Sequence, residues 1–426
     1  MSHLNEFWGF IKDPLYGYIR LTSVERNVVD TLAVQRLRRI RQLAGAEYVY
    51  PAANHTRFEH VLGAMYLAGV VSENLPVELS TDEKQEVRLA ALLHDIGHAP
   101  FSHLFEPLLL KYLGRNHEDM SRWIIAESAL ADVIRDQGFD PKELSGLAVG
   151  KPSGSTKPFL GQIISGSFDV DKMDFVVRDS YHTGAGYGAV DVFRLIYTMD
   201  VLDGNLAVDI TALPTLESLI LARFESFRAI YFHRACRGVQ LMLLRALDAA
   251  RDDLQILEAK TPDEYMEWDD YTVWSKLRGN PHSAGIIREI SARRLLKCVY
   301  EKTFYAKDEV VSSVFTNENV RLKLEEEIAS KAKVPAADVG IDVPSLPSVP
   351  YHYATYIGPI DIPLFSKTRA GEKVPQRIGE LSKVVDVLQG YMNIIRVYTR
   401  EQYREQVSEA AERVLGESPL SNVLSY

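Results

Sequence analysis

The chain has 426 residues, of which 46% are hydrophobic, and a formal net charge of −10 at neutral pH. This length and composition support one large core or two linked ones and exclude a disordered chain, while the acidic balance argues against general binding to nucleic acid or anionic membranes. Two cysteines exclude a disulfide framework, and the lack of a signal peptide or a long apolar run predicts a cytoplasmic protein without membrane association.

Residues 10–22 predict a turn followed by a short strand or hairpin arm, because Asp-Pro and Gly interrupt an alternating pattern. A helix is expected to begin near Ser23, and residues 28–43 carry apolar side chains at helical spacing. Four arginines lie between those apolar positions, Arg36, Arg38, Arg39 and Arg41. A solvated helix face is the simpler interpretation of these arginines, and an anion site is the alternative.

Most of the remaining chain is predicted to be helical. Helices are expected over 61–71 and from Thr81 towards His94, and then at about 103–113, 117–128, 128–137, 214–256, 283–306 and 317–331. Residues 201–210 predict a hairpin centred on Asp203-Gly204-Asn205. After Val334, prolines among short β-branched runs indicate a change of architecture, closed by a helix from Arg400 to Val414.

These elements predict a mainly α fold in three parts. Residues 1–50 form an N-terminal arm and helix, residues 51–334 form a helical core, and residues 335–426 form a smaller α+β portion.

Histidines cluster in the first third of the chain. Six of the eleven fall between positions 55 and 117, namely His55, His60, His94, His98, His103 and His117. His94 and Asp95 end an apolar run, and an imidazole beside a carboxylate suits a divalent cation, without which their burial would be costly.

Neighbouring residues on a helix diverge by about 100°, so both members of the His94-Asp95 pair can reach one ion only near a helix end or with outside ligands. His60 and one of Asp169, Asp171 and Asp174 are the candidates for those outside ligands.

The order of His60, His94-Asp95 and Asp171 resembles the H…HD…D signature of the HD-domain phosphohydrolase superfamily. The sequences of residues 55–60, 94–103 and 169–174 are similar to those of its deoxynucleoside triphosphate triphosphohydrolase branch, and the similarity extends from about Phe10 to Val414. This resemblance implies an HD-domain helical core in which His60, His94, Asp95 and Asp171 bind a divalent metal. Such ligands favour Mn, Fe, Zn or Ni, and Mg where phosphate completes the shell.

The resemblance also implies a reaction. Attack at the α-phosphorus would convert a dNTP to a deoxynucleoside and tripolyphosphate. His98 and His117 match positions near the scissile phosphate, where one could protonate the leaving 5′-oxygen, and Glu106 matches an acidic partner that orients His117. Their alternative role is structural support of the metal ligands.

Substrate contacts follow from the same resemblance. Three cations match positions that hold the triphosphate, Arg57, Lys172 and Arg223. Five further positions match contacts to the sugar, phosphates or base, Gln42, Leu43, Asp179, Tyr231 and His233. Tyr231 would exclude a 2′-hydroxyl, and Asp179 would accept a hydrogen bond from the 3′-hydroxyl. Phe175 stands where the animal enzyme has a tyrosine, so the contact made by that hydroxyl is absent.

A regulatory site is implied as well. Asp30, Gln35 and Arg38 match a cluster that reads the guanine of an activating nucleotide, GTP or dGTP, although Gly9 stands in place of a phosphate-binding lysine. Regulatory surfaces between subunits in this family imply a homodimer or homotetramer.

Two alternatives stay open at this point. The first is an HD-domain hydrolase acting on another nucleotide or phosphoester, and the residues Arg223, Tyr231 and His233 argue against it. The second is a nucleotide-binding or nucleic-acid-binding protein with vestigial activity, which the complete ligand set disfavours.

Overall fold

The computed structural model describes residues 7–152, 157–306, 317–347, 362–387 and 391–417. The N-terminal hairpin is confirmed: β1 (Phe7–Asp13) and β2 (Gly17–Thr22) are antiparallel. A capping box between Thr22 and Glu25 then begins α1 (Ser23–Val29).

The continuous helix expected up to residue 43 is wrong. Asp30 ends α1, Thr31 adopts an extended conformation, and α2 (Leu32–Arg36) passes into a single 3-10 turn. Ile40 is again extended, and Arg41 forms a β-bridge with Thr56. The apolar spacing reflects burial of both short helices in one core, which periodicity alone cannot distinguish from one long helix.

The helical core is built around α3 (Arg57–Asn74), which is buried on most of its surface and packs against α4 (Thr81–Leu93) and α10 (Val170–Thr183). Other helices surround these three: α5 (Glu106–Leu113), α6 (His117–Glu127), α7 (Ala129–Asp136), α8 (Pro141–Ala148), α9 (Phe159–Ile164), α11 (Val192–Ile196), α12 (Leu213–Ser226), α13 (Arg234–Ala249), α14 (Pro262–Met266), α15 (Asp270–Gly279) and α16 (Ala284–Ser291). None of the helices within the described residues is both long and apolar enough to cross a membrane.

One sequence prediction for the second half of the core is confirmed and one needs correction. The long helices expected over 214–256 are α12 and α13, which a π-helical segment, Phe227–Tyr231, and a non-helical His233 separate. The helix expected over 283–306 ends at Ser291, where Arg293 adopts a left-handed conformation, and β5 (Lys297–Ala306) follows. Pairing of β5 with a strand almost 100 residues later overrides the local helical pattern.

The predicted hairpin around residue 204 is confirmed as β3 (Met199–Leu202) and β4 (Asn205–Asp209). Strand β8 (Leu364–Lys367) extends it in parallel, and β9 (Lys373–Gln376) follows antiparallel.

A second small core belongs to the C-terminal portion. Strand β10 (Tyr391–Thr399) pairs with β5, β6 (Val339–Asp342) and β7 (Ser345–Pro347). Helices α17 (Glu318–Ala332) and α20 (Arg404–Leu415) pack together with this sheet, while α18 (Ile378–Leu381) and α19 (Lys383–Val387) precede β10. The mainly α fold with a smaller α+β portion is therefore confirmed; residues 348–361, 388–390 and 418–426 of that portion lie outside the described residues.

Candidate metal centre and active site

Helix ends position the histidine-aspartate pair. Helix α4 finishes at Leu93, so His94 and Asp95 leave it at its last turn, where neighbouring side chains can converge. His60 comes from the first turn of α3, which is fixed by a capping box between Thr56 and Glu59. Asp171 lies in the first turn of α10.

Four side chains meet around one point. Nε2 of His60 lies 3.3 Å from Nε2 of His94, 3.1 Å from Oδ1 of Asp171 and 3.6 Å from Oδ2 of Asp95. Nε2 of His94 lies 3.5 Å from Asp95 and 3.6 Å from Asp171. Ligand atoms about 2.1 Å from an ion and at right angles to one another are roughly 3 Å apart, so this spacing fits a divalent cation.

In both imidazoles, the ring nitrogen that faces away from this point already makes a hydrogen bond. Nδ1 of His60 donates to Oδ2 of Asp174 at 2.8 Å, and Nδ1 of His94 donates to the carbonyl of Ala91 at 2.7 Å. Both Nε2 atoms are therefore directed at the shared point, the orientation that metal-binding histidines require.

The charges around the point also favour a cation. Burial opposes protonation of His60, but Asp171, Asp174 and Asp95 raise its pKa to about 10. For the acidic Asp95, burial alone would raise the pKa, but Arg57 and the neighbouring histidines hold this pKa well below its usual value. A positive charge is thus stabilised between these ligands, and a metal ion would compete with a proton for that place.

The three aspartates left open by the sequence have different contacts. Asp171 lies among the ligand atoms. Asp174 instead orients His60 and forms a buried ion pair with Arg178, which also reaches Asp13 of the N-terminal hairpin. Asp169 caps α10 through the backbone N–H of Lys172 and accepts from Gly166.

A second histidine group adjoins the cluster. Nε2 of His98 lies 3.2 Å from Oδ1 of Asp95, and its ring stacks on His117 at 4.2 Å. The carboxylate of Glu106 accepts from Nδ1 of His117 at 2.7 Å and from Nδ1 of His103 at 3.0 Å. His98, His103 and His117 are close enough to form a ligand group of their own, and the sequence had indicated no role for His103.

The predicted catalytic residues differ in charge. Burial and repulsion from Arg57 and His117 hold the pKa of His98 well below that of free imidazole. Burial opposes protonation of His117 as well, but its hydrogen bond to Glu106 raises the pKa above the ordinary value. His98 is therefore a neutral group beside Asp95, whereas His117 favours its charged form.

On another side of the cluster, α10 meets the π-helical segment. Asp171, Phe175 and Asp179 recur every four residues and so share one face of α10. Asp179 is buried, accepts from Nε2 of His55 at 2.7 Å and also accepts from the hydroxyl of Tyr231. The guanidinium of Arg223 lies over the ring of Phe227, 5.3 Å from its centroid.

The remaining predicted substrate residues lie in different settings. Leu43 packs in a small apolar cluster against which Tyr231 also packs, and Gln42 precedes it with its N–H bonded to the carbonyl of His55. The ammonium group of Lys172 donates to the carboxylate of Asp169 and to the carbonyl of Gly166. His233 caps α13 through the N–H of Ala235.

The predicted regulatory residues are only partly brought together. Oε1 of Gln35 accepts from Nε of Arg38 at 2.8 Å, and the guanidinium of Arg38 lies 3.6 Å from the ring centroid of Phe58. Asp30 is exposed and pairs with Arg26.

Sequence reasoning also missed the groups that hold the loop after Asp95. Arg36 is fully buried rather than solvated, and it donates to the carbonyls of His98 and Trp268. Tyr265 donates to the carbonyl of Gly97, and Asp270 accepts from the N–H of Phe101. Only chain folding joins these positions, so no local motif could reveal them.

The chain matches known families over most of its length. Residues 57–141 match the HD domain, and residues 190–420 match the HD associated region. An uncharacterized protein of Methanocaldococcus jannaschii is 32% identical over 352 residues, covering 80% of this chain and 70% of that protein.

Two named relatives are similar over shorter stretches. The deoxynucleoside triphosphate triphosphohydrolase SAMHD1 homolog of Dictyostelium discoideum is 32% identical over 68% of this chain and 60% of its own length. The human deoxynucleoside triphosphate triphosphohydrolase SAMHD1 is 30% identical over 68% of this chain and 55% of its own. The chain thus spans between 55% and 70% of the length of these three relatives.

Solved structures agree with the fold. A hypothetical protein from Aquifex aeolicus superimposes with a TM-score of 0.76 at 28% identity, covering 95% of this chain and 99% of that one. A phosphohydrolase from Bacteroides thetaiotaomicron gives a TM-score of 0.72 at 23% identity over 93% and 100% of the two chains, a likeness of fold alone.

Proposed function

The chain belongs to the HD-domain phosphohydrolase family, and we propose that it is a metal-dependent triphosphohydrolase that converts a dNTP to a deoxynucleoside and tripolyphosphate. The observation that carries the proposal is the convergence of the four-ligand cluster with the His98–His117–Glu106 group and the hydrogen-bonded Tyr231–Asp179 pair. The names of the Dictyostelium and human relatives support the same substrate.

A divalent cation held by His60, His94, Asp95 and Asp171 would supply Lewis acidity, which polarises phosphoryl oxygens and lowers the pKa of water. Arg57 is buried beside Asp95, so its guanidinium places positive charge where a phosphate would approach the cluster. Asp174 and the Ala91 carbonyl keep both imidazoles in the required orientation.

Proton transfer is assigned to the second histidine group. Burial alone would raise the pKa of Glu106, but hydrogen bonds from His103 and His117 lower this pKa below its usual value. Glu106 therefore stays a carboxylate and stabilises the charged form of His117. His117 can therefore give its proton to the leaving 5′-oxygen, while neutral His98 can contact the phosphate without adding charge.

Sugar recognition is assigned to the Tyr231–Asp179 pair. Burial and the adjacent carboxylate raise the pKa of Tyr231 well above its ordinary value, so the phenol stays neutral and donates to Asp179. Asp179 has a further acceptor site for a 3′-hydroxyl, and the tyrosine ring can occupy the space that a 2′-hydroxyl would need.

A panel of the four dNTPs and four NTPs, incubated with Mn²⁺ or Mg²⁺, tests this proposal. We expect tripolyphosphate, identified by ³¹P NMR, and the free deoxynucleoside as the products. His94→Ala should abolish release, whereas His282→Ala, which changes an exposed histidine outside the cluster, should retain it. Orthophosphate or pyrophosphate as the first product would exclude cleavage of the bond between the α-phosphorus and the 5′-oxygen, and hydrolysis of a different phosphoester alone would favour another HD-domain activity.

Guanine-nucleotide activation is a separate proposal, supported by the contact between Gln35 and Arg38. GTP or dGTP added to the same assay should raise the rate and increase the proportion of dimer or tetramer measured by light scattering. Arg38→Ala should remove the response to GTP and leave the unstimulated rate unchanged. An equal response in the variant would place the activator elsewhere.

A further inference from the structure

The loop that joins His98 to His103 contains an unfavourable backbone conformation. Phe101 and Ser102 are consecutive non-glycine residues with φ of 61° and 57°. Left-handed conformations are unfavourable for residues that carry a side chain, so they persist where surrounding contacts hold them.

Asp270 supplies such a contact from α15, almost 170 residues later in the chain. Its Oδ1 accepts from the N–H of Phe101 at 2.7 Å, and its Oδ2 accepts from the N–H of Arg41 at 2.9 Å. The side chain is almost fully buried, and each carboxylate oxygen holds a different loop. One of these loops leads into Gln42 and Leu43, and the other carries His98 and His103.

Side chains connect the Phe101–Ser102 segment to the ligand cluster. The hydroxyl of Ser102 donates to the carbonyl of Arg41 at 2.6 Å and accepts from Nε of Arg57 at 2.8 Å. The same guanidinium forms a buried ion pair with Asp95. An unbroken series of contacts therefore runs from Asp270 through Phe101, Ser102 and Arg57 to Asp95.

We propose that Asp270 is a positioning residue for the phosphohydrolase reaction: its carboxylate clamps the Arg41 and Phe101 loops together and so sets Arg57 against Asp95. This inference rests on the proposed function for its kinetic consequence. A carboxylate suits the role because it offers an acceptor to each of two N–H groups. An asparagine offers one oxygen and turns its amino group towards the other donor, which leaves one loop without its anchor.

The test compares Asp270→Asn with Asp269→Asn. Asp269 is the adjacent, equally buried carboxylate, but it pairs with Arg39 and caps α15 through Thr272 without touching the turn. We expect Asp270→Asn to lower kcat about tenfold, within the range typical of residues that support metal ligands, and Asp269→Asn to change kcat less than twofold.

A double-mutant cycle with Ser102→Ala separates positioning from general destabilisation. Ser102→Ala should lower kcat to a similar extent, and the double variant should be no slower than the slower single variant, because both act through Arg57. Multiplicative effects, or wild-type kcat in Asp270→Asn, would overturn the proposal. Should Asp270→Asn not fold, Asp270→Glu, which keeps the charge but displaces both oxygens, takes its place in the cycle.

Mn²⁺ titration followed by electron paramagnetic resonance keeps this inference distinct from the proposed function. Wild-type protein without tripolyphosphate release would refute the proposed function only. In that case Asp270→Asn should still weaken Mn²⁺ binding threefold or more relative to Asp269→Asn, because Arg57 orients Asp95. Equal Mn²⁺ dissociation constants for the two variants would refute the positioning role.

Discussion

At the scale of single residues, the half-buried Tyr231 beside Asp179 has two proposed roles. Its ring can occupy space near a sugar, and its hydroxyl donates to the carboxylate proposed to recognise the 3′-hydroxyl. A steric role depends on the ring alone, whereas a hydrogen-bonding role depends on the phenolic oxygen. Substitutions of Tyr231 can therefore separate the two roles.

Tyr231→Ala should reduce the preference for deoxyribonucleotides, because the space for a 2′-hydroxyl opens. We expect the ratio of kcat/KM for dATP to that for ATP to fall about tenfold, the scale at which pocket shape discriminates small groups. Tyr231→Phe should retain the wild-type ratio, since the ring remains, while lowering kcat/KM for both substrates. An unchanged ratio in Tyr231→Ala would exclude steric selection by this residue.

Asp270 makes stability depend on pH. Burial raises its pKa to about 6, despite the two N–H donors and the nearby arginines. A carboxyl whose pKa is higher in the folded than in the unfolded protein stabilises the fold at low pH, and this contribution is lost as the pH rises through about 6. Two pKa units correspond to about 3 kcal/mol as an upper bound.

Urea unfolding at pH 4.5 and pH 7.5 checks this expectation. Relative to Asp270→Asn, which does not titrate, the wild type should lose at most about 2 kcal/mol of its free energy of unfolding between these values, because the unfolded carboxyl is already mostly ionised at pH 4.5. Asp269→Asn should follow the wild type. Parallel pH dependences of the free energy of unfolding for wild type and Asp270→Asn would show that the Asp270 carboxyl has the same pKa in the folded and unfolded states.

At the scale of elements, the approach of α3 to α10 depends on a glycine. A Cβ built on Gly63 would collide with the carboxylate of Asp174 and the guanidinium of Arg178. Those two groups form the buried ion pair that orients His60. The close approach of two helices and the orientation of a metal ligand therefore depend on the same missing side chain.

Gly63→Ala should consequently lower the free energy of unfolding by about 2 kcal/mol, as expected for overpacking, and weaken Mn²⁺ binding. Gly285→Ala is the matched control, because an added Cβ there meets nothing within 4 Å and lies in α16. The control should be neutral or slightly stabilising, as alanine has the higher helix propensity. Equal stability of Gly63→Ala and wild type would show that the ion pair can shift without cost.

Elements with local signals could be predicted from the sequence. A capping box begins helix α3, and an Asp-Gly turn connects β3 to β4. The interruption at Asp30 and the change from α16 to β5 could not, because burial and pairing with distant strands decide them. The same division holds in the site: the spaced motif indicated His60, His94 and Asp95, whereas Asp270 depends on contacts across the fold.

At the scale of the whole molecule, the proposed metal ligands lie beside the larger of the two main hydrophobic cores in the described part of the chain. Core residues from Ile19 to Leu295 surround the ligand cluster, together with a few residues from 362–385. The second core consists of residues from β5, α17, β6, β10 and α20, and it contains none of the proposed ligands. Ligand binding should therefore stabilise the two regions unequally.

Metal binding is the perturbation that best reveals this asymmetry. Mn²⁺ at a hundredfold excess over its dissociation constant should raise the free energy of unfolding by about 3 kcal/mol, provided that only the folded state binds. Hydrogen exchange should slow in α3, α4 and α10, which carry the ligands, and change little in α17 and α20. Asp171→Asn should remove the response of the helical core, whereas equal protection of both cores would indicate that they unfold as one cooperative unit.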